Sequence, residues 1–489
     1  MIYNSFSFIA LFPLLFLLYY LIPAKYHQGR NLYLLAVSYL LYLNWRPAPA
    51  LVLLGVTLVT YWGGVLLRDN SEGLKVQGTD SGSRTQDSRR RKRLVWIFAL
   101  LGLLPLFVFK YYNFLNDNIS AGLDAIGLHF SLPGLNWAIP VGISFFTFQA
   151  VGYLLDVYNR RIKAEQNFLD YALFVSFFPS IVAGPINKAS LILPQIKEQR
   201  VFFDYSKAVA GLKLLLWGMF MKVVVADRVA LYADTVLPAY MHYTGVTCFV
   251  ASIMYSIQIY ADFAGYSLMA LGVGKTLGFE LTENFRRPYF AVSVTDFWRR
   301  WHISLSTWLK DYVYIPLGGS RCSKFKNYWN IFVTFLVSGI WHGANWTFIV
   351  WGLWHGLFQI IEKALGQQKC NYGWFGKSVK IVVTFLLVNF AWIFFRMPTL
   401  SDACGVISRI FDFSLPFSVY MHGFTATFYI GLGVVILLFK DFVDEFFPNK
   451  FKLFENKHTV VRWFSYIVVM VMIVLCGVFS ADQFIYANF

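Results

Sequence analysis

The sequence predicts an all-α polytopic membrane protein of about 11–12 transmembrane helices, with re-entrant or interfacial helices added. Three observations lead there. Hydrophobic residues make up 57% of the 489-residue chain and charged residues only 14%, against roughly 45–50% and about 25% in soluble domains. So few charges cannot cover a set of water-soluble domains. Apolar stretches long enough to cross a bilayer recur along the chain. Lys and Arg gather in particular connections between them, the asymmetry that orients spans in a membrane.

The first stretch, 5–23, has no basic residue before it and no small-residue cleavage site after it, which predicts a retained helix. Apolar runs follow at 32–47, 50–67, 94–115 (interrupted by Lys110) and 136–158. Others fall at 207–226, 245–272, 327–347, 347–364, 379–396, 425–439 and 463–480. Between the third and fourth, residues 68–93 are rich in Ser, Gly and Asp and end in RRRKR. This reads as a mobile basic cytoplasmic loop, which beside a bilayer also suits anionic lipid. Lys25, Arg30, the RRRKR run, Arg160, Arg161 and Lys163 fall on one side, while 113–140 carries only uncharged or acidic residues and His129. The N-terminus is therefore expected to be extracytoplasmic, in a multi-pass protein of the cytoplasmic (inner) membrane that forms one domain over 1–489.

The 42 Lys+Arg outnumber the 26 Asp+Glu. In a chain this apolar the excess reads as positive-inside loop charge, with the lipid bilayer and no nucleic acid as partner. Cys248, Cys322, Cys370, Cys404 and Cys476 lie at least 34 residues apart, so neither a disulfide framework nor a metal site is expected. The sequence lacks a P-loop, a GxGxxG turn, HExxH and GxSxG. Proton transfer by histidine is the chemistry left in view. It suits acyl transfer, in which a base deprotonates a hydroxyl attacking a thioester.

Residues 258–356 concentrate the unusual chemistry. Asp262 follows an apolar run in SIQIYADFAGYS; it is either an intramembrane functional carboxylate or a helix-end residue paired with water, Tyr or Ser. The segment 285–321 mixes aromatic residues with Arg286, Arg287, Arg299, Arg300, Lys310 and Arg321. It is too charged to span a bilayer and too aromatic for a solvated loop, so it predicts a re-entrant or interfacial helix with Thr295 as its N-cap. His302 lies within it. FLVSGIWHGANWTF then places His342 in an otherwise uncharged span. A hydrogen-bonded structural histidine is one reading. Gly339 and Gly343, which would let a substrate or backbone approach, and His302 upstream favour a chemical role. His355 reads as structural, and His27, His129, His242, His422 and His458 as solvated.

These motifs resemble the membrane-bound O-acyltransferase (MBOAT) superfamily, above all its bacterial branch acting on polysaccharides, which includes the alginate O-acetyltransferase membrane subunit. The matching segments are AGPINKASLILPQ (183–195), QIYADFAGYS (258–267), ENFRRPYFAVSVTDFWRRWHISLSTWLKDYVYIPLGG (283–319) and SGIWHGANWTFIVWGLWHG (338–356), with the N-terminal YNSFSFIALFP. The resemblance implies a ring of tilted helices around a central catalytic partition. It implies His342 as the catalytic histidine and His302 as the second signature position, orienting the reaction or polarising the thioester carbonyl. Trp301, Trp341, Asp262, Tyr266 and Gly343 would support the pocket, and Arg286, Arg287, Arg299, Arg300 and Lys310 would form a donor entrance. The usual DFSGYSD pattern reads DFAGYSL here, with Ala264 and Leu268, which puts a second carboxylate in doubt.

The implied activity is O-acetylation of an extracytoplasmic polysaccharide, with acetyl-CoA as donor substrate and no bound cofactor or metal. A periplasmic acetyltransferase or esterase-like partner would complete transfer. The ending QFIYANF (483–489) is similar to the tail of the small partner peptide of the teichoic acid system, making Tyr486 an acyl relay; an interfacial aromatic anchor is the other reading. Two alternatives stay open: D-alanyl transfer from a carrier protein to a teichoic acid-like polymer, and a polymer or lipid transporter without acyl chemistry.

Overall fold

A computed structural model describes residues 3, 5–43, 47–68, 81–129, 131–182, 184–198, 203–366, 373–448, 452 and 454–479. The QFIYANF tail, with Tyr486, and Cys370 lie outside them. Among the described residues seven helices are long and apolar enough to cross a membrane: Ala48–Leu66, Ser88–Asp124, Tyr205–Val236, Gly245–Thr276, Trp374–Arg396, Phe424–Phe446 and Thr459–Cys476. Of the shorter apolar helices, Ser7–Leu21 and Ile143–Tyr158 account for two more of the expected stretches, and Phe168–Ile181 falls outside them. Two further helices, Lys324–His342 and Trp346–Ala364, carry buried polar residues that a lipid-facing span would not, among them Asn327, Asn330, His342, His355 and Glu362.

The described residues form two compact units, one within 10–208 and 274–282, the other within 3–9, 209–273 and 283–479. In the first, Ile143–Tyr158 forms the core, with 14 of its 16 residues buried. Its only charged residue, Asp156, pairs with Arg161 at 3.2 Å. The expected basic loop over 68–93 is in part a helix: Ser81–Leu106 is continuous, so RRRKR belongs to its N-terminal half. Arg91 is buried there, and its guanidinium donates to the carbonyls of Val157 (3.4 Å) and Tyr158 (3.2 Å). It thereby satisfies the last turn of the core helix, whose carbonyls have no partner within the helix. One of the five basic residues thus serves the fold itself.

In the second unit the segment 285–321 folds as two short helices, Val294–Arg300 and Ile303–Leu309, followed by a π-turn at Lys310–Tyr314. The N-cap is Ser293 and not Thr295: the Ser293 hydroxyl accepts from Asp296 N at 3.0 Å. Thr295 instead donates through its backbone N (3.0 Å) and hydroxyl (2.8 Å) to Glu362, whose carboxylate also receives Val294 N. A carboxylate on a helix N-terminus meets both the orphan N–H groups and the positive end of the dipole. Glu362 lies 67 residues beyond Thr295 in sequence, so local propensity could not reveal it.

Candidate active site

His302 and His342 sit on different elements that meet in the second unit. His302 occupies the break between the two short helices, with φ +44° in the left-handed region. A non-glycine residue there carries strain of about 1–3 kcal/mol that its surroundings must hold. Ile303 N donates to Asn284 O at 3.0 Å and Ser306 N to His302 O at 2.9 Å, which fix the backbone on both sides. His342 ends the helix Lys324–His342. His302 is 0% exposed and His342 3%.

The two imidazoles stand 6.5 Å apart between ring centroids. The Trp341 ring touches both, at 5.8 Å from His302 and 4.8 Å from His342. Trp351 (4.7 Å) and Phe395 (5.3 Å) close round His342, and Phe263 (4.8 Å) meets His302 edge-on. Gly339 and Gly343 serve packing. A Cβ on Gly339 would lie 2.4 Å from Phe348 O, and one on Gly343 2.1 Å from the Phe348 ring. What approaches these glycines is the next helix, Trp346–Ala364. His355 lies in that helix within an aromatic shell of Phe297, Trp298 and Trp351.

A 470 Å³ cavity of this unit is lined by residues of the elements that carry the pair, but by neither imidazole. It includes Ile303, the residue after His302, and Ser338, one helical turn before His342. Its charged wall residues are Arg299, Lys310 and Lys363, and none of its lining residues is acidic. The expected five-residue donor entrance therefore divides. Arg299 and Lys310 line this cavity, whereas Arg286 and Arg287 line a separate one of 190 Å³ that also holds Glu283, Asp441 and Asp444. Arg287 pairs with Glu445 at 2.8 Å, Arg300 with Glu445 at 2.9 Å and Asp296 at 3.1 Å, and Arg286 with Glu283 at 2.6 Å. Burial alone would lower the Arg300 pKa, but Asp296 and Glu445 outweigh it and hold the guanidinium above its ordinary value.

Residues 130–397 match the MBOAT, membrane-bound O-acyltransferase, family. The chain belongs to the MBOAT family. It is 40% identical over 421 residues to the probable alginate O-acetylase of Pseudomonas putida, covering 84% of this chain and 81% of that one. It is 35% identical over 437 residues to the peptidoglycan O-acetyltransferase of Helicobacter pylori, covering 83% and 79%. To the teichoic acid D-alanyltransferase of Bacillus subtilis it is 28% identical over 253 residues, covering 50% and 62%. The protein is thus a multi-pass membrane acyltransferase, and the transporter reading falls away.

Other expected pocket residues of this MBOAT chain lie elsewhere in the same unit. Asp262 forms an ion pair with Lys222, at 2.7 Å. Lys222 also pairs with Asp227 at 2.8 Å, and all three side chains are at most 2% exposed. A cation within the apolar run 207–226 was the available signal for this cluster. Tyr266 packs on Tyr3, with centroids 4.8 Å apart. Trp301 is wholly buried between Phe285, Phe297 and Trp392. Asn284, which sequence reasoning passed over, accepts from His302 Nδ1 at 3.3 Å; no periodicity or charge marks it.

Proposed function

We propose that the protein is an O-acetyltransferase that carries an acetyl group from cytosolic acetyl-CoA to a polysaccharide beyond the cytoplasmic membrane. The observation that carries this reading is the cavity, with three cations and no acid in its walls and with Ile303 and Ser338, from the elements that carry the two histidines, among its lining residues. Coenzyme A is a polyanion joined to its thioester by a slender arm. Arg299, Lys310 and Lys363 attract the phosphates, and charge-assisted hydrogen bonds to them are roughly twice as strong as neutral ones. The arm then brings the thioester to His342.

His342 takes the proton of the acceptor hydroxyl as that oxygen bonds to the thioester carbonyl carbon. The C–S bond breaks, and the CoA thiolate leaves with the proton from His342. A positioned base of this kind contributes about 10²–10⁴ in rate. The activities for which the alginate and peptidoglycan relatives are named support acetyl as the group and a glycan as the acceptor. We place the N-terminus outside, and a separate extracytoplasmic acetyltransferase or esterase-like protein as the partner that completes delivery.

The D-alanyl relative keeps a second donor in view. Membrane vesicles containing the protein, supplied with labelled acetyl-CoA or with a D-alanylated carrier protein, separate the two. Label transferred from acetyl-CoA supports the proposal. Label transferred only from the carrier protein overturns it.

A further inference from the structure

We infer that Asn284 locks His302 in the Nδ1–H tautomer, so that this imidazole offers Nε2 as a hydrogen-bond acceptor. The inference rests on the acyl-transfer reading only for what His302 accepts; the tautomer itself follows from hydrogen-bond chemistry. Asn284 is 1% exposed, so its amide must find its partners inside the protein.

One of those partners fixes the amide's orientation. The Ser304 backbone N–H can only donate, and it lies 3.2 Å from Asn284 Oδ1, so the oxygen of the amide must face it. The Ser304 hydroxyl donates to the same oxygen at 2.8 Å, while Asn284 Nδ2 donates to Ser267 Oγ at 3.2 Å. His302 Nδ1 is 3.3 Å from that oxygen, which has no proton to give. Nδ1 must therefore carry the hydrogen, and the neutral ring keeps its lone pair at Nε2. The backbone of Asn284 adds to this grip, since its carbonyl accepts from Ile303 N at 3.0 Å. Both ends of one residue thus hold His302 at its left-handed φ of +44°.

This changes the role expected from the sequence. A neutral Nδ1–H imidazole has no second N–H with which to polarise a thioester carbonyl. His302 instead receives a hydrogen bond, either from the attacking hydroxyl or from His342 once that ring is protonated. Asn284 is a positioning residue that acts through His302.

The test is ¹⁵N solid-state NMR of the full chain in lipid with ¹⁵N-labelled histidine rings, near neutral pH. The His302 signals are assigned by their loss in His302→Gln. The expected result is a protonated Nδ1 and an unprotonated Nε2 in the native protein and in Asn284→Asp, which retains the acceptor oxygen. Asn284→Leu should lose this fixed state, lowering kcat about 10–100-fold, as when the partner orienting a working histidine is removed. Its KM for the thioester should hold, and Asn284→Asp should recover most of the rate. A protonated Nε2 in the native protein, as the other tautomer or as imidazolium, overturns the inference. If Asn284→Leu fails to fold, the native and Asn284→Asp spectra still decide. A correct tautomer in a protein that transfers no acetyl group would instead overturn the functional reading alone.

Discussion

Two sets of basic residues from one stretch of sequence behave in opposite ways. Arg287 and Arg300 share the carboxylate of Glu445, and Arg300 also reaches Asp296. Their charge is answered inside the protein, and they tie the segment 285–300 to the helix Phe424–Phe446. Arg299 and Lys310 are exposed, form no salt bridge among the described residues, and line a cavity without acidic residues. Adjacent arginines thus divide between pairing inside the protein and lining a basic cavity. A cluster counted from sequence overstates the binding charge, because only cations left without an internal partner keep their full attraction for a ligand.

Replacing the second set should have the largest effect. In Arg299→Ala, Lys310→Ala the loss of two charge-assisted contacts should raise KM for acetyl-CoA about 10–100-fold, with kcat and thermal stability little changed. The salt dependence of KM should flatten along with it. Steady-state kinetics at two ionic strengths checks both. Glu445→Ala addresses the first set and should do the reverse. It strands Arg287 and leaves Arg300 with Asp296 alone, and should destabilise the protein by about 1 kcal/mol, given the solvent reaching Arg287, while KM holds. Thermal unfolding in detergent reads this directly. The smallest effect belongs to Arg286→Ala. That residue's pair with Glu283 is about half exposed, so both stability and KM should stay near native. A marked rise in KM in Arg286→Ala would return it to the donor entrance.

The same division runs through what was legible in the sequence. Apolar runs announced most of the long helices because hydropathy is a local property. His302 and His342 could be singled out together because each is an ionisable ring in a setting that penalises charge. What escaped were partners chosen by tertiary structure. Asn284 reaches His302 across 18 residues, Glu362 reaches Thr295 across 67, and Glu445 reaches Arg300 across 145. Neither composition nor periodicity records such distances. Thr295 looked like a cap because Thr caps helices often, but Ser293 holds the position and Glu362 claims the threonine. Gly339 suggested room for a substrate, yet the room is filled by the backbone of the following helix.

The central proposal is that acyl transfer takes place at His342, on the helix whose Ser338 lines the basic cavity. Acetyl transfer from labelled acetyl-CoA by vesicles carrying His342→Ala tests it most directly, with CoA binding measured on the same preparation. The account predicts transfer reduced by at least about 10²-fold while CoA still binds. Transfer within a few-fold of the native protein would contradict it.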